Sequence, residues 1–297
     1  MMKIDRLIEA IGRTDNPTAL GLDTRIEYLP KSLTDDLPGA AAVLKFNRAL
    51  IDGLADIVPC VKVQVACYEA LGTAGMEAFR DTLLYAGEKG MVTIADVKRN
   101  DIGSTAEAYA AAYLNDDSPF PASFVTINAY LGFDGVKPFL DACEKGGGGI
   151  FALVRTSNSS AKEFQDLVVQ SEDGAARPLY EHVGLKLHEW GANFIGKHGY
   201  NSVGAVVGAT WPEEGKKLRA MLPHTFFLVP GYGAQGASAK DIAGCFDERG
   251  SGAVVNASRS LLCAHIKHKT DDFVAAAREE ALRMKDDLRA EINRKDC

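Results

Sequence analysis

The sequence predicts an α/β fold, a (β/α)8 TIM barrel, from two features of its apolar residues. Eight short runs rich in β-branched and apolar residues recur along the chain, separated by intervals long enough to hold a helix. Several of these runs are apolar throughout rather than alternating, as in parallel strands that are covered on both faces. A chain of 297 residues is within the range that such a barrel occupies as one unit. We therefore predict a single barrel domain over residues 1–297.

The predicted elements follow one another regularly, with one exception. The strands are predicted at residues 18–22, 58–63, 92–95, 123–127, 150–154, 203–207, 225–229 and 253–256. The intervening stretches are amphipathic; 78–89, for example, is followed by a glycine that suits a helix C-cap, and 271–294 predicts the last helix. The stretch 159–201, between the fifth and sixth strands, is longer than a crossover needs. It contains a polar turn at 171–174 before a predicted helix at 178–191, so we expect an extended segment over the mouth or flank of the barrel.

The composition excludes several classes of function. A formal net charge of −7 and a pI near 5.5, without a basic run, argue against binding of nucleic acid. No stretch approaches the roughly 18 to 20 apolar residues that span a bilayer, and the first residues lack the apolar run of a signal peptide. We therefore expect no membrane association and a cytoplasmic location.

The six cysteines contain no Cys-x-x-Cys pair and no histidine partner at zinc spacing, so we predict no metal site.

A cluster of charges directly follows the third predicted strand. Asp96, Lys98 and Asp101 come after the apolar run 91–95. In a regular strand Asp96 and Lys98 point to the same face, and Asp101 lies where the chain can fold back. Neighbouring carboxylates favour the protonated form of a lysine, which suits it to donating a proton rather than to forming a Schiff base. Taken alone, residues 96–101 are more typical of a solvated surface ion pair.

The ends of the other strands decide between these two interpretations. Active sites of this fold lie at the C-terminal ends of the strands. The first strand ends at Asp23, the second carries Lys62, and the third delivers Asp96, Lys98 and Asp101. Two lysines and three aspartates are therefore predicted to converge on one mouth of the barrel.

The later strands add groups that suit a nucleotide. Residues 155–158, Arg-Thr-Ser-Asn, end the fifth strand and include neutral donors suited to the carbonyl and ring-nitrogen edge of a heterocycle. The seventh strand continues into the glycine-rich residues 230–236, and the eighth into Arg259. Loops after the last two strands commonly bind phosphate in this fold. The glycines alone would indicate a tight turn, but together with Gln235 and the bidentate donor Arg259 they favour a phosphate monoester.

With these motifs the chain resembles the orotidine 5′-phosphate decarboxylases. The resemblance runs from Gly21-Leu22-Asp23 through residues 96–105 to the glycine-rich residues 230–236 and Ser258-Arg259. It is most similar to the longer bacterial branch, type 2, in which residues 156–158 occupy the pyrimidine-binding position and a long segment follows the fifth strand. The chain departs from many relatives at Ser258, where they have glycine, and at 159–160, where they often have Pro-Gly.

The resemblance implies a reaction and a role for each matching residue. It implies decarboxylation of orotidine 5′-monophosphate to uridine 5′-monophosphate and CO2, the last step of de novo UMP biosynthesis, without cofactor or metal, in a homodimer with shared active sites. Lys98 would donate the proton to C6, Asp96 would lie against the substrate carboxylate, and Lys62 would hold the charge network. The implied substrate-binding residues are Asp23 with Lys62 at the ribose, Asp101, Ile102 and Thr105 in the neighbouring subunit's site, Ser157 at the pyrimidine, and Pro230, Gln235 and Arg259 at the phosphate end.

Two other functions remain open from the residues themselves. A metal-dependent sugar-phosphate decarboxylase or lyase also shows Asp-x-Lys-x-x-Asp, but it would need an acidic ligand where this chain has Lys62, whose charge would repel a cation. A nucleotide-binding protein without catalysis would need the phosphate and base contacts. It would have no use for Asp96, Lys98 and Asp101, whose burial is costly.

Overall fold

The computed structural model describes residues 1–115, 117–170, 174–233 and 236–294. Its strands are β1 Thr18–Leu22, β2 Cys60–Gln64, β3 Val92–Arg99, β4 Phe124–Ile127, β5 Gly149–Arg155, β6 Val168–Gln170, β7 Ala176–Pro178, β8 Asn201–Val207, β9 Thr225–Pro230 and β10 Ala253–Ala257. Within the described residues, eight of these strands form a closed parallel barrel in the order β1-β10-β9-β8-β5-β4-β3-β2, and β6 pairs with β7 as an antiparallel hairpin. The predicted (β/α)8 barrel is thereby confirmed.

Helices cover the outside of the barrel and connect its strands. Their bounds are α1 Lys3–Thr14, α2 Lys31–Thr34, α3 Gly39–Leu54, α4 Val65–Glu69, α5 Gly72–Glu88, α6 Gly103–Leu114, α7 Phe133–Gly146, α8 Lys162–Gln165, α9 Leu179–Trp190, α10 Pro212–Met221, α11 Ala239–Ala243, α12 Arg259–Leu262, α13 Ala264–His268 and α14 Phe273–Asn293. The predicted helix 78–89 is α5, which begins earlier and is followed by Gly90 at φ +81°. Among the described helices, none combines the length and apolarity that a membrane crossing requires.

Most predicted strands match their observed bounds within two residues, and β3 is the informative exception. The apolar run predicts its end at Ala95, whereas pairing with β4 continues to Arg99. The register shifts between these two residues, so that four steps along β3 correspond to two steps along β4, from Val125 to Ile127. Asp96 and Lys98 therefore lie on the strand itself, at this β-bulge, whereas Asp101 follows the strand.

The interior of the barrel is apolar through most of its depth. Inward-pointing side chains from the strands form one buried cluster, closed from below by α1. Its members on the strands include Ala19, Cys60, Ile94, Phe124, Phe151, Phe226 and Val254. This packed layer forms the base on which the mouth of the barrel is built.

Two residues further along the same strands, one side of the barrel becomes polar. Lys62 follows Cys60 by two positions, and the same step leads to Asp96, Thr126 and Asn256 on three other strands. On the opposite side the corresponding residues remain apolar, namely Leu153, Val206 and Leu228. The alternation of strand side chains therefore produces a mouth with one polar and one apolar wall.

The extended segment between β5 and β8 is anchored to the barrel by a buried arginine. Arg155, 1% exposed, places its guanidinium 2.6 Å from the carboxylate of Asp166 and 4.1 Å above the ring of Trp211. Tyr180 covers it from α9, at 5.0 Å. The predicted helix 178–191 is present as α9. Of the predicted polar turn at 171–174, residues 171–173 lie outside the described residues.

Candidate active site

A cavity of about 680 Å³ opens at the C-terminal ends of the barrel strands. Its walls contain most of the residues that the sequence predicts at the site. The lining residues with functional side chains include Asp23, Lys62, Gln64, Asp96, Lys98, Thr126, Ser157, Asn256 and Arg259, together with Pro230. The strand ends therefore converge as the fold predicts.

Lys62 is the centre of the charge network. Its side chain is on β2, between the neighbouring strands β1 and β3, and the residue is only 3% exposed. The ammonium Nζ lies 3.0 Å from Asp23 Oδ1 and 2.7 Å from Asp96 Oδ2. Burial alone would lower the pKa of Lys62, but the two carboxylates outweigh it and hold this pKa above its ordinary value. Lys62 is thus a permanent buried cation.

Asp96 accepts hydrogen bonds on both carboxylate oxygens. Oδ2 receives Lys62 and the Gln64 amide Nε2, the latter at 2.9 Å, while Oδ1 receives Lys98 Nζ at 2.5 Å and Thr126 Oγ1 at 2.9 Å. Burial by itself would raise the pKa of Asp96. The two ammonium groups more than compensate, and they hold the pKa below its ordinary value. Asp96 is therefore a fixed anion between two lysines.

Lys98 reaches this anion from an unusual backbone conformation. Its φ is +46°, in the left-handed region that residues other than glycine rarely adopt. The lysine and Asp96 meet as predicted, although through the β-bulge and not through the regular alternation of a strand. The Lys98 side chain is 45% exposed, so its ammonium contacts Asp96 and also faces the open cavity.

Asp101, Ile102 and Thr105 follow the bulge but do not line the cavity of their own chain. Asp101 Oδ1 instead accepts the backbone N–H of Ile102, at 2.8 Å. Ile102 is 55% exposed, and Thr105 is exposed in the first turn of α6. Among the described residues, the lysine that lies between two aspartates is Lys62, whereas Lys98 is bonded to only one.

The remaining predicted residues follow β5, β9 and β10 around the rim. Ser157 follows β5, and its carbonyl accepts a hydrogen bond from Thr210 Oγ1 at 3.1 Å, which fixes the loop. Pro230 ends β9 and Arg259 begins α12, both at the cavity. Between them Gly231 and Gly233 have φ of +111° and +66°, which explains the glycines of the motif. Gln235 lies outside the described residues.

The sequence prediction assigns no role to three polar strand residues that line the cavity: Gln64, Thr126 and Asn256. Gln64 and Thr126 bind Asp96 directly, and the buried Asn256 donates to Ser258 Oγ at 3.2 Å. A period-two count along the predicted strands would have found them, because each shares a face with an inward neighbour two residues earlier. The sequence prediction rests instead on the charged residues at the strand ends and on the motifs after the fifth, seventh and eighth strands.

The arrangement suits proton donation more than metal binding. In the described part of the chain, no three histidine, cysteine, aspartate or glutamate side chains form a metal-binding group. The two carboxylates at the cavity, Asp23 and Asp96, are bonded to Lys62, which would repel a cation. The site offers a partly exposed ammonium held by a buried anion, at the edge of a cavity large enough for a nucleotide.

Comparisons with known proteins show the family of the chain. Residues 23–270 match the family model described as "Orotidine 5'-phosphate decarboxylase / HUMPS family". The chain is 42% identical over 293 residues to the orotidine 5′-phosphate decarboxylase of Clostridium perfringens strain 13, covering 98% of this chain and 99% of that protein. It is 44% identical over 284 residues to the enzyme of that name from Rhodopirellula baltica, covering 92% and 91%.

A solved structure extends the likeness to three dimensions. The structure of Leishmania donovani OMP decarboxylase superposes with a TM-score of 0.74 at 28% identity, covering 96% of this chain and 99% of that chain. Sequence, fold and the geometry of the mouth thus lead to the same assignment. The chain belongs to the orotidine 5′-phosphate decarboxylase / HUMPS family.

Proposed function

We propose that Lys98 is the proton donor of a decarboxylase that acts without metal or cofactor, and that two subunits share each active site. The overall reaction follows from the family and its relatives: the chain converts orotidine 5′-monophosphate to uridine 5′-monophosphate and CO2, in pyrimidine biosynthesis. The observation that carries the proposal is the Lys98 ammonium, which faces the cavity while it is bonded to the buried anion of Asp96.

The chemistry needs a charge stabiliser and a proton at the same atom. When the C6–carboxylate bond breaks, its electron pair stays on C6, which has no adjacent electron sink. An ammonium placed at C6 stabilises this charge as it develops and then transfers its proton there, forming the new C–H bond of uridine 5′-monophosphate. Lys98 is left as a neutral amine and recovers a proton from solvent. Asp96, next to the substrate carboxylate, keeps Lys98 in place throughout.

The rest of the cavity would bind the nucleotide. We assign Asp23 and Lys62 to the ribose hydroxyls and Ser157 to the pyrimidine, in line with their places around the mouth. Arg259 and Pro230 would lie at the phosphate, with Gln235, which is outside the described residues. Because the phosphate is remote from C6, its binding energy would serve to order the loops around the substrate.

A homodimer would explain the residues beyond the bulge. Asp101, Ile102 and Thr105 lie outside the lining of their own cavity. Tyr130, in the loop after β4, and Phe133, at the start of α7, are exposed. The two segments adjoin, since a side chain at Gly135 of α7 would lie 3.0 Å from the Asp101 carbonyl oxygen. Tyr130 is 79% exposed. Such apolar exposure beside functional residues is typical of a subunit interface.

The shared site is tested by mixing two inactive variants, Lys98→Ala and Asp101→Ala. If Asp101 acts in the partner's site, each mixed dimer carries one intact site, and random exchange should restore about one quarter of the wild-type activity. Native mass spectrometry would verify the exchange. Mixed dimers without activity would mean that each site is complete within one chain.

The metal-dependent alternative is tested with orotidine 5′-monophosphate in the presence of a strong chelator. Loss of the orotate absorbance band at an unchanged rate supports the proposal. Turnover that falls with chelation would favour metal chemistry, and binding without turnover would favour a nucleotide-binding protein.

We also propose that the enzyme works in the cytoplasm. No disulfide joins any of the five cysteines that the structure describes, as is usual for proteins of reducing compartments.

A further inference from the structure

The bulge that carries Lys98 is fastened by one hydroxyl from the neighbouring strand. Thr126 of β4 lies opposite the extra residues of β3, and it is 1% exposed. Its Oγ1 accepts the backbone N–H groups of Val97 and Lys98, at 2.9 and 3.0 Å. The same hydroxyl donates to Asp96 Oδ1 at 2.9 Å. A hydroxyl has one proton and two lone pairs, so Thr126 uses its entire hydrogen-bonding capacity here.

These three bonds join the backbone of Lys98 to the partner of its side chain. Thr126 and the Lys98 ammonium bind the same oxygen of Asp96, and Thr126 also binds the Lys98 amide. Without the hydroxyl, the buried N–H of Val97 and the partly buried N–H of Lys98 would lose their acceptor. The left-handed conformation of Lys98 would then lack the contact that compensates for its strain.

We propose that Thr126 is a positioning residue, which holds the Lys98 ammonium at the reacting carbon by fixing both the bulge and the Asp96 carboxylate. This inference rests on the proposed role of Lys98 as the proton donor. It assigns Thr126 no contact with substrate. Its effect should therefore appear in the rate of the chemical step more than in the affinity for the nucleotide.

Two substitutions test this role. Thr126→Val keeps the shape of the side chain and removes the hydroxyl, whereas Thr126→Ser keeps the hydroxyl. We expect kcat to fall about 10²-fold in Thr126→Val, as for a displacement of about 1 Å of a catalytic group. The dissociation constant of uridine 5′-monophosphate should stay close to wild type, and Thr126→Ser should recover most of kcat.

Thr93→Val is the matched control. Thr93 is a buried threonine on β3 whose Oγ1 accepts the backbone N–H of Ser123 at 3.0 Å, at the end of the strand away from Lys98. Thr93→Val removes a buried hydroxyl between the same two strands, β3 and β4, and its kcat should be unchanged. Wild-type kcat in Thr126→Val, or equal losses in Thr126→Val and Thr93→Val, would overturn the inference. The inference would also be overturned if Thr126→Val lost affinity for uridine 5′-monophosphate by the same factor as it lost kcat.

A second variant keeps the test decisive if Thr126→Val does not fold. Thr126→Cys offers a weak donor and acceptor, so its kcat should fall between those of the serine and valine variants, and a wild-type value would refute the role. The proposed role of Lys98 can fail independently of this inference. An active Lys98→Ala variant would show that Lys98 is not the proton donor. An inactive Lys98→Ala variant together with a fully active Thr126→Val variant would refute only the positioning role of Thr126.

Discussion

Replacement of Lys62 by methionine, whose unbranched side chain is one atom shorter and carries no charge, tests the buried charge network. Lys62 is bonded to two aspartates, and Asp96 is buried with it. After the substitution Asp96 would keep Lys98, Gln64 and Thr126 as partners, but it would lose the buried counter-charge of Lys62. We expect the pKa of Asp96 to rise and the folded state to lose stability.

The expected loss follows from the two distances. At an effective dielectric constant of about 20, unit charges 2.7 and 3.0 Å apart attract by about 6 and 5.5 kcal/mol. Desolvation of the ammonium cancels much of this attraction, by several kcal/mol. The net cost of removing one partner from such a buried pair is about 3–5 kcal/mol, because the remaining charge has lost its compensation.

The assay is urea unfolding at pH 7, at one fixed protein concentration and without nucleotide. Lys137→Met is the matched control: Lys137 Nζ lies 2.6 Å from Asp141 Oδ2, but both side chains are about half exposed. An exposed pair of this kind contributes about 0.5 kcal/mol or less. The two variants therefore compare the same chemical pair, at similar distance, buried and exposed.

Equal losses in the free energy of unfolding of Lys62→Met and Lys137→Met would refute the expected cost of the buried pair.

The pH dependence of stability provides a second check. Below the ordinary aspartate pKa of about 3.9, Asp96 becomes protonated in the unfolded state and then in the folded variant. The difference in stability between wild type and Lys62→Met should narrow as pH falls through this range, and a difference that is independent of pH would contradict the assignment to Asp96.

Three further predictions concern the strand ends. Lys98→Gly should be more stable than Lys98→Ala by about 1 kcal/mol, since glycine accepts a positive φ without strain; equal urea midpoints would show that the bulge is unstrained. Arg155→Lys should cost about 2 kcal/mol and speed proteolytic cleavage within residues 159–178, because lysine cannot stack on Trp211 as arginine does; wild-type proteolysis would contradict this. Because folding lowers the pKa of Asp96, ionisation of Asp96 stabilises the protein fully above about pH 4 and less as pH falls further. The free energies of unfolding of wild type and Asp96→Asn, measured in urea, should therefore converge in acid. A difference that stays constant with pH would exclude this linkage.

The barrel could be predicted because its signals are local. Apolar runs of strand length, spaced by amphipathic helices, carry the fold, and the residues that end each run carry the site. Asp23, Lys62 and Asp96 lie together because parallel strands of a barrel bring their C-terminal ends to one rim. This much of the site follows from counting residues along strands.

The details that escaped depend on contacts between distant residues. The left-handed backbone conformation of Lys98 is held by the Thr126 hydroxyl of β4. The regular pattern of the strand sequence does not indicate this contact. The sequence places Arg155 with the neutral donors after the fifth strand. In the structure it is buried between the rings of Tyr180 and Trp211, which follow much later in the chain. The place of Asp101 outside its own cavity likewise depends on how the chain folds after the bulge.

The most direct test of the central claim is the turnover of orotidine 5′-monophosphate by Lys98→Ala, measured together with its affinity for uridine 5′-monophosphate. Lys98 supplies both the proton and the charge that stabilises the carbanion, so we expect kcat to fall by at least about 10⁴-fold. The affinity for the product should remain close to wild type, since the ribose and phosphate contacts are untouched. Appreciable turnover by this variant would contradict the account.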